Sequence, residues 1–181
     1  MKAIAVVAHP DDCVIFAYSF MNHYKDFDWT VCYLTYKETD ARAQEFIKFW
    51  SKRGVATKFL GFVDDWHDIE NKKISFDEAE AEQQIADAIK DQDIVVTHNS
   101  KGEYGHLHHV FVNRAVTKNH DRVITFADFD QGNVKLGIMP GVYDLSELPG
   151  CADIVSKFHI DNHYNEYVVS RPVLEMINQA V

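Results

Sequence analysis

The strongest constraint on the fold is the alternation of short apolar runs with longer amphipathic segments along this chain. The first run, residues 2–8, is continuous and apolar, as in a central parallel strand that is buried on both faces. Pro10 ends it, because proline has no N–H to donate to a neighbouring strand. The alternation predicts an α/β fold: a three-layer sandwich with a Rossmann-like, mainly parallel sheet and helices on both faces.

The same reasoning places the remaining elements. Further strands are expected at residues 29–35, 55–62, 93–97 and 122–127. Helices are expected at residues 12–24, 39–54, 75–90, 108–118, 150–162 and 172–179. Ser75 is taken as the start of its helix, because Ser75-Phe76-Asp77-Glu78 has the spacing of a capping box. We expect a single domain over residues 1–181, with a divergent, loop-rich part over residues 129–181.

Composition argues against several classes of partner. The chain has 28 acidic and 18 basic residues, a net charge of −10. Such a chain, with no Lys/Arg-rich block, is poorly suited to nucleic acid or to an anionic membrane surface. No segment approaches the ~20 apolar residues of a membrane span.

An odd number of cysteines without a CxxC motif indicates a reducing compartment, and we expect a cytoplasmic protein. A homo-oligomer is left open.

Two polar motifs follow predicted strands. Ala8-His9-Pro10-Asp11-Asp12 comes directly after the first strand, and Gly105-His106-Leu107-His108-His109 ends the loop after residues 93–97. Because the carboxyl ends of parallel strands meet at one edge of a sheet, both motifs are expected at the same edge. Their imidazoles and carboxylates can bind a divalent metal and still leave an acid and a base free. The sequence therefore predicts a metal-dependent hydrolase.

Spacing separates the functions of these side chains. His9 and Asp12 are three residues apart across a turn, so both can reach one metal ion, whereas Asp11 points elsewhere and is left as a general base. His106 and His109 share a helix face, so one can bind metal while the other acts as an acid. The alternative is that the carboxylates cap a helix and the histidines are solvated or packed loop residues.

The paired motifs resemble the PIG-L/LmbE-like family of zinc-dependent N-deacetylases. The resemblance rests on AHPDD and on the pattern THNxxGEYGHxxH over residues 97–109, and it extends in order and spacing over most of the first 130 residues. It implies a hydrolase that removes an N-acetyl group from a small amino sugar or an N-acetylglucosaminyl conjugate. Two other functions stay open: a catalytically degenerate sugar- or glycan-binding member, and a metal-dependent amidase or esterase that acts on a non-sugar acyl substrate.

The resemblance also implies roles for individual residues. His9, Asp12 and His109 would bind zinc, and Asp11 would be the general base that activates the attacking water. His106 would be the general acid that protonates the leaving amine, or it would help to hold the tetrahedral intermediate. The implied substrate-binding residues are Arg42, Tyr104 and one of the adjacent pair Asp64 and Asp65, between which the sequence does not decide. Sites built from histidine and carboxylate also accept Fe²⁺ and Co²⁺.

Two positions depart from the family pattern. Cys13 stands where the first motif usually has glutamate, and we expect it to be a small buried residue. His108 stands where the second motif usually has aspartate. A carboxylate at that position can orient neighbouring groups, so its absence is expected to alter the acid His106.

Overall fold

The predicted sheet is present in a computed structural model, which describes residues 1–126, 134–139, 141–159 and 166–181. Its strands are β1 (Lys2–Val7), β2 (Asp28–Thr35), β3 (Ala56–Phe62), β4 (Ile94–Thr97), β5 (Val123–Phe126), β6 (Val134–Gly137) and β7 (Glu166–Val169). They lie in the order β3-β2-β1-β4-β5-β7-β6. Strands β1 to β5 pair in parallel, and β7 pairs antiparallel with both β5 and β6. The mainly parallel α/β fold is therefore confirmed.

Helices cover both faces of this sheet. They are α1 (Tyr18–His23), α2 (Ala41–Ser51), α3 (His67–Asn71), α4 (Glu78–Ile89), α5 (Gly102–Gly105), α6 (Leu107–Asn119), α7 (Ala152–His159) and α8 (Arg171–Gln179). Alternate residues of β1 belong to two separate apolar clusters, Ala3 and Ala5 to one and Ile4 and Val6 to the other. A strand that is buried on both sides in this way forms the middle layer of a three-layer sandwich.

Several elements differ from the prediction. Helix α4 begins at Glu78, and Asp77 caps it by accepting from the backbone N–H groups of Ala79 and Glu80, so the predicted start at Ser75 was wrong. Ser75 instead donates through its backbone N–H and its hydroxyl to Asp68. The short elements α3, α5, β6 and β7 were not predicted. The predicted strand end at residue 127 and helix end at residues 160–162 lie outside the described residues.

The ends of β1 and β4 bring the two polar motifs together. Val6 pairs with Thr97 in register, and the Thr97 hydroxyl donates to the Val6 carbonyl. On the other side of β1, the backbone N–H and the hydroxyl of Thr35 both donate to the carbonyl of Ala8. The residues after Ala8 therefore leave a strand end that is fixed from both neighbouring strands. Among the described residues, no helix has the length and apolar character needed to cross a membrane.

Candidate metal centre

Three donor atoms converge at this strand edge. His9 Nδ1 lies 3.1 Å from Asp12 Oδ2, His109 Nε2 lies 3.2 Å from the same oxygen, and the two nitrogens are 3.3 Å apart. All three side chains are buried. In a tetrahedral zinc site with bonds of about 2.0–2.1 Å, neighbouring ligand atoms are roughly 3.3–3.5 Å apart. The donor triangle of His9, Asp12 and His109 therefore fits one such ion, in both donor chemistry and size.

Charge is balanced within the triangle. Burial opposes ionisation of Asp12, but the adjacent His109 and His9 hold the pKa of its carboxyl well below the usual range. Burial likewise opposes a charge on His9, yet Asp12 and Asp64 together raise the pKa of this imidazole to about 9. The metal-free centre therefore holds a proton on His9 at neutral pH, next to an ionised Asp12. A metal ion binding at His9 Nδ1 displaces that proton.

Glu103 holds the imidazole of His109 from behind. Its Oε2 lies 2.6 Å from His109 Nδ1, and its Oε1 accepts from the backbone N–H of Asn99. Burial opposes ionisation of Glu103, but His98 and His109 lower the pKa of its carboxyl to about 2. An anionic acceptor at Nδ1 keeps the proton there and leaves Nε2 as the metal-facing lone pair. No role was predicted for Glu103, although it lies within the pattern over residues 97–109.

His98 packs against the donor triangle, but both of its ring nitrogens contact other groups. Its Nε2 accepts from the backbone N–H of Ala8 at 3.0 Å, and its Nδ1 lies 2.9 Å from Glu103 Oε2. Its ring stacks on His109 with the centroids 3.8 Å apart. Since both nitrogens are engaged, His98 orients the ligand side chain and the strand end.

Asp11, the neighbour of Asp12, is paired with an arginine. Its Oδ1 accepts from Arg42 Nη2 at 2.6 Å, and Arg42 Nη1 donates to the hydroxyl of Tyr36. Burial and the charge of Asp12 raise the pKa of Asp11, while Arg42 acts in the opposite direction. The outcome is a carboxylate beside the metal position that is oriented by an arginine and is more basic than usual.

His106 caps α6 and lies over the triangle. Its Nδ1 accepts from the backbone N–H of His108 at 3.2 Å, and its ring centroid is 4.6 Å from those of both His9 and His109. Burial and the nearby imidazoles lower the pKa of His106 to about 3, so the ring is neutral with its proton on Nε2. Tyr104 lies next to it, with its ring centroid 6.0 Å away and 57% of its surface exposed.

Adjacent Asp64 and Asp65 take different positions. Asp64 Oδ1 lies 3.3 Å from His9 Nε2, and its Oδ2 accepts from the hydroxyl of Tyr36. Burial opposes ionisation, but the contact with His9 lowers the pKa of Asp64 to about 2. Asp65 accepts from the backbone N–H of His67, which places its carboxylate at the start of α3. Of the two residues that the sequence left as alternatives, Asp64 is the one beside the centre.

Cys13 is packed below the motif. Its thiol is buried and lies 2.9 Å from the Pro10 carbonyl and 3.3 Å from Trp50 Nε1. Burial raises the pKa of this thiol, so it stays protonated and is a poor nucleophile. The residue in the place of the usual glutamate therefore fills a buried position, as we expected.

Solved structures share this fold at low identity. The 4-carboxy-2-hydroxymuconate hydratase GalB of Pseudomonas putida KT2440 is 14% identical with a TM-score of 0.55, over 91% of this chain and 83% of that one. A triple mutant of a deacetylase of teicoplanin biosynthesis is 17% identical with a TM-score of 0.57, over 91% and 86%. The zinc-inhibited form of teicoplanin deacetylase is 15% identical with a TM-score of 0.52, over 88% and 84%. These structures include a hydratase as well as a deacetylase, so the fold alone does not define the reaction.

Sequence comparison is more specific. No curated protein matches the chain significantly. The family model described as PIG-L, GlcNAc-PI de-N-acetylase, matches residues 4–120, which is more than half of the chain and includes both polar motifs. The protein therefore belongs to the PIG-L family.

Proposed function

We propose that this protein is a metal-dependent hydrolase that removes the N-acetyl group from a small amino sugar or an N-acetylglucosaminyl conjugate. The observation that carries the proposal is the donor triangle, with a carboxylate and an imidazole beside it that are not part of it. Membership of the PIG-L family and the shared fold with teicoplanin deacetylase support a deacetylase. A sugar-binding protein without turnover has no use for this additional acid and base.

His9 Nδ1, Asp12 Oδ2 and His109 Nε2 would hold the metal. Two imidazoles and one carboxylate suit Zn²⁺, and Fe²⁺ or Co²⁺ accept the same donors. When bound, such an ion polarises the acyl carbonyl and makes a water molecule more acidic.

Asp11 is the proposed general base. Arg42 fixes its Oδ1, which leaves Oδ2 to take a proton from the water that attacks the acyl carbon. Its raised pKa makes the carboxylate a stronger base, because basicity rises with pKa. Arg42 also keeps this carboxylate in one orientation while the substrate enters.

His106 is the proposed hydrogen-bond donor to the reacting oxygen. Its Nδ1 is engaged by the helix N-terminus and its low pKa keeps the ring neutral, so its Nε2–H donates a hydrogen bond to the oxygen that gains charge during attack. Of the two roles that the resemblance implies, holding the tetrahedral intermediate is therefore the one we propose, because a neutral ring does not protonate an amine. Water adds to the acyl carbon, the C–N bond breaks, and the proton that Asp11 took from the water passes to the departing nitrogen. Acetate and a primary amine are formed, and His106 keeps its proton.

The surroundings favour a hydroxyl-rich substrate. An open groove of about 280 Å³ runs from Asp64 past Tyr36, Lys37 and Asp40. These side chains offer donors, acceptors and both signs of charge, as sugar hydroxyls require. Trp66 is 61% exposed at the start of α3, where a sugar ring can stack on an aromatic face.

We also propose a cytoplasmic location, which the buried free thiols of all three cysteines support.

Metal analysis coupled to acetate release tests the proposal. We expect about one metal ion per chain, acetate release from N-acetylglucosamine compounds, and loss of activity on chelation that added Zn²⁺ restores. Release only from acylated amines or esters without a sugar would instead support the amidase or esterase. Metal and sugar binding without any release would support the binding protein. Absence of metal, even after zinc is added, would contradict the whole assignment.

A further inference from the structure

His108, the histidine at the position of the family's aspartate, lies behind the donor triangle. Its ring is fully buried between His9 and Asp68. His108 Nδ1 is 3.2 Å from His9 Nε2, the nitrogen that faces away from the triangle, and His108 Nε2 is 2.9 Å from Asp68 Oδ2. A continuous row of polar contacts therefore runs from α3 to a metal-facing imidazole.

Asp68 fixes the far end of this row. Its Oδ2 accepts from the backbone N–H of Ser75 at 3.0 Å and from the Ser75 hydroxyl at 3.2 Å. The residue is 3% exposed although α3 is otherwise on the surface. An ionised carboxylate only accepts hydrogen bonds. His108 must therefore carry its proton on Nε2, which leaves Nδ1 of the neutral ring as an acceptor.

His9 supplies the matching donor. A neutral imidazole that offers the lone pair of Nδ1 to a metal carries its proton on Nε2. Within the described part of the chain, His9 Nε2 lies 3.2 Å from His108 Nδ1 and 3.3 Å from Asp64 Oδ1. Asp64 is partly exposed and its other oxygen binds Tyr36. The buried acceptor on His108, in contrast, has His9 as its partner.

We propose that His108 and Asp68 form a positioning relay, in which Asp68 orients His108 and His108 fixes the orientation and the proton of His9. The proposal rests on the metal site of the proposed function. The relay does for His9 what Glu103 does directly for His109. It also makes metal affinity depend on α3, which contains no proposed ligand.

A second metal site is the competing arrangement of the same atoms. One donor atom each from His9, Asp64 and His108 lie within 4.8 Å of one another. A metal there, together with one in the donor triangle, would require His9 to lose both ring protons and bridge two ions, which an imidazole does far less readily than it donates one hydrogen bond. The relay uses every donor and acceptor without that step.

Metal affinity of matched variants tests the relay. We expect His108→Leu to weaken Zn²⁺ binding roughly 10- to 100-fold, as loss of an outer partner typically does, and Asp68→Asn to weaken it less. Glu70→Gln on the exposed side of α3 is the control and should bind as the native protein does. The measurement is competition with a chromophoric chelator, with stoichiometry from elemental analysis. Unchanged affinity in both folded variants, or two ions per native chain, would overturn the relay.

Histidine tautomers in the metal-loaded native protein give a second test that needs no variant. Long-range ¹H–¹⁵N correlation spectra should show the proton on Nε2 in both His9 and His108. A proton on Nδ1 of His108 would reverse the direction of the contact and refute the relay.

The proposed relay and the proposed function can fail independently of each other. If affinity falls as expected but no acetyl compound is cleaved, only the function is wrong, whereas acetate release with unchanged affinities leaves only the relay wrong.

Discussion

Asp11 and Asp12 are chemically identical neighbours, and a single step along a tight turn separates their environments. Asp12 Oδ2 faces two imidazoles, and these hold its pKa low. Asp11 faces the guanidinium of Arg42, and burial raises its pKa. Opposite pKa shifts in adjacent carboxylates are a recurring sign of separate roles in acid–base chemistry. These opposite environments support our proposal that Asp12 binds the metal and Asp11 acts as the base.

Asp11→Asn should separate binding from reaction. We expect the variant to retain its metal and its fold but to lose at least about 100-fold in kcat, since an amide cannot take up the proton. Metal content, thermal unfolding and acetate release check this together, with the exposed Asp26→Asn as the control for a lost negative charge. Near-native turnover in the metal-loaded variant would exclude Asp11 as the base.

Metal affinity should depend on pH through His9. Its pKa is raised to about 9 in the metal-free protein, so below that pH each bound ion has to displace a proton. We expect apparent affinity to rise about tenfold per pH unit from pH 6 to 9 and to level off above. Chelator competition across this range measures the slope. An affinity that is independent of pH between 6 and 8 would show that His9 is already neutral.

At the scale of elements, the segment around α5 bends the chain so that Glu103 meets His109. Gly102 has φ +66°, and Glu103 has φ 58° with ψ −70°. Residues other than glycine rarely adopt a backbone conformation like that of Glu103. Such a backbone costs about 1–3 kcal/mol and persists only where surrounding contacts hold it. The hydrogen bonds of Glu103 to His98, Asn99 and His109 are those contacts.

Gly102→Ala tests this segment. A methyl group would lie 2.9 Å from Val110 Cγ2 and 3.3 Å from His109 Cβ, in addition to the strain of the positive φ. We expect lower stability, by about 1–3 kcal/mol from the backbone alone, and weaker metal binding because His109 is displaced. Gly105→Ala is the matched comparison, because its φ is +91° but its methyl group would meet no described atom within 4 Å. Equal effects of the two substitutions would rule out the contact with His109 as the cause.

At the scale of the molecule, β7 is connected to the helix that follows the first motif. The Tyr167 hydroxyl accepts from the backbone N–H of Phe20 and donates to the carbonyl of Phe16. It thus bridges two backbone groups that are four residues apart, the spacing of a direct α-helical bond. A π-helical turn over Cys13–Ala17 ends at this point, and an inserted side chain is a known cause of such irregularity. Strand β7 therefore shapes the segment directly after the first polar motif.

Tyr167→Phe should destabilise the whole molecule. Removing the hydroxyl breaks two buried hydrogen bonds to the backbone, and we expect a loss of about 1–3 kcal/mol in the free energy of unfolding. Urea unfolding measures it, with Tyr24→Phe, whose ring packs on Phe20 in the same cluster, as the control. If Phe16 and Phe20 simply close the direct bond, the two variants will be equally stable and the bridge is dispensable.

Local patterns in the sequence predicted what depends on a few consecutive residues. The apolar runs gave the parallel strands, because a strand buried on both faces needs uninterrupted apolar residues. Both polar motifs come after predicted parallel strands, so the order of the strands also placed the motifs at one edge of the sheet. The same reasoning misplaced the start of α4, where Asp77 competes with Ser75 as the cap and Ser75 is engaged by Asp68. It also missed α3 and β7, which are too short to show a period.

Local sequence patterns are sufficient for the mainly parallel α/β fold and for the donor types at one sheet edge, because strand patterning and turn residues act over a few neighbouring positions. Three contacts depend instead on long-range packing: Asp64 rather than Asp65 meets His9, Glu103 supports His109, and Asp68 reaches His108. These partners come from separate turns and helices, and the partners of His108 lie 40 and 99 residues away along the chain. These contacts depend on how the helices and loops between the strands pack against the sheet, and no local sequence pattern encodes that packing.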